Sequence, residues 1–174
     1  MAPGGGGGAP LGRGKPAAVK PIIGVVGGSV CSLEEALWAE DVGRRLAAAG
    51  AVLVCGGLGG VMEAAAKGAK MVTGSITVGI LPGVDLEGAS PFIDVPLTTG
   101  MGEMRNALIV RACQALIAIG GGWGTLSEIA LAQRVGTPVV GLHDAFASGV
   151  EIPRVSTPEQ AAAWALEQAG RPTV

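Results

Sequence analysis

The stretch Ala115-Leu116-Ile117-Ala118-Ile119-Gly120-Gly121-Gly122-Trp123-Gly124-Thr125-Leu126-Ser127-Glu128 decides how the rest of the chain is read. Its first five residues are apolar without alternation, as in a strand covered on both faces, and Thr125 to Arg134 is predicted to be a helix. Between them, four glycines in five positions remove the side chains that would hold a ligand off the backbone. A helix start offers unpaired N–H groups and the positive end of its dipole to an anion. Strand, glycine loop and helix start in that order make a phosphate site in an α/β protein. The expectation is a small phosphorylated ligand.

Outward from this stretch the same alternation repeats. Short runs rich in Val and Ile stand at Ile22–Val26, Val52–Cys55, Ile76–Leu81 and Pro138–Leu142, with a weaker run at Phe92–Leu97. Helical stretches lie between them. Ala39, Val42, Leu46 and Ala49 share one face, Ser32-Leu33-Glu34-Glu35 is a capping box that starts this helix, and Gly50 ends it. Thr157, Pro158 and Gln160 open a last helix that ends near Gly170. Such alternation predicts the α/β class: a Rossmann-like doubly wound parallel sheet flanked by helices, with right-handed crossovers, in one domain over residues 21–174. Residues 1–20 are Gly/Pro/Ala-rich and lack any acidic residue, and they read as a disordered tail. They have neither the apolar stretch of a secretory signal nor the serines of a transit peptide.

The 174 residues, 49% hydrophobic, suffice for a single core. Three of the 12 Lys+Arg fall in the tail, so the folded part carries 9 against 14 Asp+Glu, a net charge of about −5. A nucleic-acid surface needs a basic stripe, so nucleic acid is not an expected partner. Cys31, Cys55 and Cys113 are odd in number and widely spaced, and His143 is the only histidine. Neither a disulfide framework nor a metal site is expected, and reduced thiols fit the cytoplasm. No run approaches the roughly 18 apolar residues of a membrane helix, so no membrane association is expected.

In a doubly wound sheet the ligand lies outside the carboxyl ends of the strands. Four loops meet that condition: Gly27-Gly28-Ser29, Gly56-Gly57-Leu58-Gly59-Gly60, Thr98–Glu103, and Gly120–Gly124. They give as candidate ligand contacts Gly27, Gly28, Ser29, Gly56, Gly57, Gly59, Gly60, Thr99, Gly100, Gly121, Gly122, Gly124 and Thr125. The first loop does not have the spacing of a dinucleotide fingerprint, and no P-loop lysine is present. Arg105, near the turn at Thr98–Gly102, can fork two hydrogen bonds to a phosphate or ribose oxygen. Asn106 is suited either to a ligand or to capping its own helix. Trp123 either walls a ring by stacking or packs against a neighbouring helix or subunit. Thr125-x-x-Glu128 has the form of a capping box, which gives Glu128 a structural use beside any chemical one. His143, at a strand end without a partner ligand, reads as structural.

The glycine run resembles the Pro-Gly-Gly-x-Gly-Thr-x-x-Glu motif of the LONELY GUY (LOG) family. Gly120 stands in the proline position, and Gly121, Gly122, Gly124, Thr125 and Glu128 match. The family's arginine, fifteen residues before the proline position, is matched by Arg105, and Gly56 to Met62 resembles its other phosphate-side loop. Asn106 replaces the lysine usual in the phosphoribohydrolases. The likeness runs from Pro21 to Gly170 and is strongest to the short branch that includes molybdenum cofactor carrier proteins. It implies hydrolysis of the N-glycosidic bond of nucleoside 5′-monophosphates to free base and ribose 5-phosphate. Glu128 and Arg105 would be catalytic, the glycine loops would hold the phosphate, and no cofactor would be required. The alternative it implies is a non-enzymatic carrier with the molybdenum cofactor as cargo, Glu128 a helix cap and Arg105 an anion anchor. It further implies a homodimer or larger homo-oligomer, to which Trp38, Trp164 and the helix of Arg111 could contribute.

Overall fold

A computed structural model describes residues 19–143 and 150–170. Seven strands and five helices follow in order: β1 (Ile22–Gly27), α1 (Leu33–Ala48), β2 (Val52–Cys55), α2 (Val61–Lys70), β3 (Ile76–Leu81), β4 (Val95–Thr98), α3 (Asn106–Ala112), β5 (Ala115–Ile119), α4 (Trp123–Val135), β6 (Val139–Leu142), β7 (Arg154–Val155) and α5 (Pro158–Ala169). A single 3-10 turn, Gly102–Arg105, leads into α3. The strands form one sheet in the order β4-β3-β2-β1-β5-β6-β7, and every pairing is parallel. The chain steps outward from β1 to β4, then returns to place β5 on the other side of β1. The strand order therefore reverses between β1 and β5, and Gly27 pairs with Ile119 at the carboxyl ends of the two. That is where a crevice must open, because the connections leaving β1 and β5 diverge to opposite faces.

The burial of β5 explains why the opening stretch reads so clearly. All five of its residues are fully buried, with Ala115, Ile117 and Ile119 facing one core layer and Leu116 and Ala118 the other. The first layer joins α1, α2 and α5 to the sheet, and the second joins α3 and α4. Between α1 and α2 two glycines bring backbones together. A Cβ on Gly43 would lie 1.9 Å from the Ala65 carbonyl oxygen, and one on Gly68 would lie 1.9 Å from that of Glu40.

Several boundaries differ from the sequence reading. The helix expected at Thr125 begins at Trp123 with Gly122 as its N-cap, because the glycine run ends in the extended conformation at that residue. The weak run at Phe92–Leu97 yields a strand only from Val95; at Asp94 one backbone bond reaches the Thr77 carbonyl at 3.1 Å, and the Thr77 amide donates to the Asp94 carboxylate at 3.0 Å. On α1, Ala49 is exposed at the C-cap, while Gly43 and Ala47 join Ala39, Val42 and Leu46 in the interior. The two-residue β7 is too short for any pattern to announce. The caps at Ser32–Glu35 and Thr157–Gln160 form as expected. The expected tail falls, up to residue 18, outside the described residues. Among the described residues no helix is long and apolar enough to cross a membrane.

Candidate functional site

The crevice at the strand reversal is a cavity of about 890 Å³. Its floor and rim come from four loops: after β1 (Gly27, Gly28, Ser29), after β2 (Gly56), before α3 (Arg105, Asn106), and into α4 (Gly121, Gly122, Gly124, Thr125, Glu128). The structure thus gathers eleven of the residues expected from the sequence. It does not bring Gly57, Gly59, Gly60, Thr99, Gly100 or Trp123 to the cavity wall.

Each of the outlying residues has a local use instead. Gly57 (φ 74°) packs on the Gly79 backbone and accepts from the Ser90 amide, and Gly60 (φ 64°) presses on Gly28 and Ser29 as the N-cap of α2. A Cβ on Gly59 would lie 3.4 Å from the Ser29 carbonyl oxygen. The Thr99 hydroxyl donates to the Leu81 carbonyl at 2.7 Å and accepts from the Met101 amide, which closes the turn in which Gly100 takes φ 64°. Trp123 is 86% exposed, so it neither packs within its own chain nor faces the cavity.

The three helices that end at the cavity differ in how their first amides are used. On α1 the Ser32 hydroxyl accepts from the Glu35 amide, and the Glu35 carboxylate accepts from the Ser32 amide at 2.7 Å. On α2 the Val61 amide donates to the Gly28 carbonyl at 3.0 Å. On α4 Gly122 supplies no side-chain cap, and the first amide to find an acceptor among the described residues is that of Leu126. The amides of Gly124 and Thr125, both at the cavity wall, have no acceptor of their own in this first turn and stand open among the described residues. An anion held there would also meet the positive end of the α4 dipole.

Behind this turn sit Arg105 and Glu128, respectively 6% and 5% exposed. Arg105 packs its guanidinium over Gly56, where a Cβ would come within 2.7 Å of Nη2. Its Nη1 donates to the Asn106 Oδ1, while its Nε is buried without an acceptor among the described residues. Asn106 in turn donates through Nδ2 to the Ser127 hydroxyl at 3.1 Å and, more distantly, to the Gly124 carbonyl at 3.4 Å. Ser127 donates to the same carbonyl at 2.6 Å. Asn106 therefore neither caps α3 nor hangs free: it ties the arginine to the first turn of α4. Sequence spacing across 21 residues could not show that tie.

The capping box expected for Thr125 and Glu128 does not form. Because α4 starts two residues early, Thr125 lies inside the helix, its side chain against Gly121, and no side chain caps this helix. The Glu128 carboxylate takes no hydrogen bond among the described residues. Burial pushes its pKa up to about 7, with Arg105 pulling it down and Glu103 adding to the rise. A carboxyl so placed can hold or release a proton near neutral pH. Glu35 and Glu103 also line the cavity and were not singled out from the sequence, where one reads as a cap and the other as a turn residue. Cys31 reaches the wall as well, its thiol raised by burial and by Glu35. Arg105 is the one cation among the described residues lining the cavity. No group of His, Cys, Asp or Glu able to hold a metal ion occurs among the described residues.

A second cavity of about 520 Å³ shares Ser32 and Glu35 with the first and extends past Gly120 to Trp38 and His143. Trp38 and His143 stack there, with ring centroids 4.0 Å apart and planes 9° from parallel. His143 is the one non-glycine residue with positive φ (53°) among the described residues. Gly120 also has positive φ, 52°, and a Cβ there would fall 1.8 Å from Glu35 Oε1. Proline, fixed near −65°, cannot take that conformation, which accounts for glycine in the motif's proline position.

Comparison with known proteins places the chain among relatives of this build. An uncharacterized protein of Archaeoglobus fulgidus is 45% identical over 146 residues, 83% of this chain and 93% of that protein. The molybdenum cofactor binding protein of Rippkaea orientalis superimposes with a TM-score of 0.78 at 35% identity, covering 87% of this chain and 98% of that one. The molybdenum cofactor carrier protein of Chlamydomonas reinhardtii gives 0.74 at 34% identity, covering 86% and 98%. The model of the SLOG cluster4 family matches residues 20–169. With nearly the whole described domain inside that match, the chain belongs to the SLOG cluster4 family.

Proposed function

We propose that the cavity at the strand reversal binds a phosphorylated small molecule bearing a heterocycle, and that the chain serves as a carrier for a ligand of the molybdenum cofactor type. The observation that carries the binding reading is the uncapped first turn of α4, open to the cavity and backed by Arg105. The phosphate takes the amides of Gly124 and Thr125, and Arg105 offers its unpaired Nε or a reoriented Nη. A volume of about 890 Å³ is ample for a cofactor of this size. Holding rather than cleaving is favoured by the two solved relatives with molybdenum cofactor in their names. It is also favoured by Asn106, which occupies the position of a hydrolase lysine and is engaged in holding Arg105.

Glu128 supports a second reading, hydrolysis of the N-glycosidic bond of nucleoside 5′-monophosphates. Free of any cap and with a pKa of about 7, it could activate water or steady developing positive charge on the ribose. The experiment that separates the two incubates the purified chain with a panel of nucleoside monophosphates, reading free base and ribose 5-phosphate by chromatography. In parallel, retention of molybdopterin is measured by anaerobic gel filtration. Retained molybdopterin without base release is the result expected. Base release that disappears in Glu128→Gln, with no molybdopterin retained, would replace the carrier by the hydrolase.

Self-association is proposed on the same footing. Val30, Leu33, Leu37 and Trp123 are exposed apolar side chains, whereas Trp38 and Trp164 are partly buried against the core and offer less surface to a contact. Light scattering should give a mass of at least twice 17.1 kDa at micromolar concentration; a monomer there counts against it.

A further inference from the structure

We infer that the second cavity is the subsite for the ligand's ring, and that it selects a planar heterocycle with a two-donor edge, as in the 2-amino-4-oxopyrimidine of guanine or a pterin. The inference rests on the phosphorylated-ligand reading above and adds which ring is accepted and by which residues.

The two cavities meet at the N-terminus of α1, where Ser32 and Glu35 face both. Glu35 uses Oε2 in its cap, and Oε1 stands beside Gly120 with no hydrogen bond among the described residues. A negative oxygen at that point repels phosphate. The anion is thereby directed to the open amides of α4, and the other end of the ligand faces Glu35. Beyond Glu35 the wall is the stacked Trp38–His143 pair, a flat surface suited to a flat ring. Glu34 lines the same cavity, and no cation is among its described lining residues. A ring entering here meets carboxylate acceptors and must bring donors. The lactam N–H and the 2-amino group of an aminopyrimidinone (N1–H in guanine, N3–H in a pterin) point the same way and can both be accepted, one by Oε1. Hypoxanthine brings only the N1–H. Adenine brings its 6-amino group beside a bare N1, whose lone pair opposes a carboxylate.

Glutamate is not required here by the helix. A capping box accepts glutamine equally well, since either side chain can accept from the N-cap amide. Glu35→Gln therefore keeps the cap through its one oxygen and places an amide donor where Oε1 stood. Ser32→Ala breaks the same cap from the other side and leaves the carboxylate in place.

The test titrates the full chain with GMP, a pterin monophosphate, IMP, AMP and inorganic phosphate by calorimetry. A Trp123→Phe/Trp164→Phe background leaves Trp38 as the sole fluorophore for following GMP. GMP and the pterin monophosphate should bind about tenfold or more tighter than AMP, with IMP between, as expected for one added hydrogen bond to a charged group. GMP should also change Trp38 emission. Glu35→Gln should shrink the preference to within about threefold without weakening the binding of inorganic phosphate, and Ser32→Ala should retain the preference. Preference for GMP over the pterin, or the reverse, identifies which source of the shared edge fits. Equal binding of AMP and GMP, an unaltered preference in Glu35→Gln, or silent Trp38 emission would overturn the subsite while leaving the phosphate reading intact. Failure of every phosphorylated probe to bind would overturn both.

Discussion

In the loop after β2, a Cβ on Gly56 would lie 2.7 Å from Arg105 Nη2, and one on Gly60 would lie 2.2 Å from the Gly28 carbonyl. In the loop after β5, a Cβ on Gly122 would meet nothing within 4 Å, and one on Gly124 only side-chain atoms at 3.8 Å and beyond. The two loops carry similar glycine runs for different reasons. The first is glycine-rich because protein is already packed against it: an arginine over Gly56 and the β1 loop against Gly60. The second keeps part of its run bare toward the cavity, and only Gly120 and Gly121 are held by neighbours, Glu35 and Thr125. A run of glycines thus marks close approach to the backbone without saying whether protein or ligand does the approaching.

This contrast is open to direct attack. Gly60→Ala should be the most damaging change, because it combines a left-handed φ with a backbone clash. A loss of about 3 kcal/mol or more is expected in urea unfolding; a loss below about 1 kcal/mol would mean the β1 and β2 loops are not locked together.

Next in size is a pH effect at Glu128. Its pKa is higher folded, about 7, than the ordinary 4.5, so folding favours the protonated form. That contribution is complete below about 4.5 and is lost as pH rises through about 7, a change of about 3 kcal/mol. Glu128→Gln removes it, so the stability of wild type relative to this variant should fall between pH 4.5 and 8. A constant difference would show that the carboxyl is not desolvated.

Asn106→Ala should cost about 2 kcal/mol, since it orphans one buried guanidinium nitrogen and unties α3 from α4. It should also weaken phosphate binding, measured by calorimetry, although Asn106 need not touch phosphate. Gly122→Ala should be smallest in stability, within about 0.5 kcal/mol, because its backbone is extended and its surroundings are empty. Its effect should fall on ligand affinity. A large stability loss there would erase the distinction between the loops.

How far these features were legible follows from the range of the interactions that make them. The sheet was legible, since β5 is buried on both faces and the caps at Ser32 and Thr157 are local signals. That Arg105, Glu128 and the α4 loop meet at one cavity was expected from their likeness in spacing to the LOG motif. The start of α4 was misplaced because Gly122 caps through backbone geometry alone, and the apparent box at Thr125 competed with it. The cavity roles of Glu35 and Glu103, and the clamp of Asn106 on Ser127, depend on elements distant in the chain and carry no local pattern. Trp123 attracted attention as the one large residue in the run, yet the helix it begins turns it outward.

The reciprocal glycines of α1 and α2 have a mechanical consequence for the cavity. Gly43 on Ala65 and Gly68 on Glu40 seat backbone on backbone, and such contacts have no side-chain rotamers with which to adjust. The side of the cavity built on α1 and α2 is therefore stiff. The opposing side is fastened by Asn106 and Ser127, whose bonds can be remade by side-chain rotation alone. Accommodation of cargo should fall on that second side, and amide exchange should show it as weaker protection in the first turns of α4 than in those of α1.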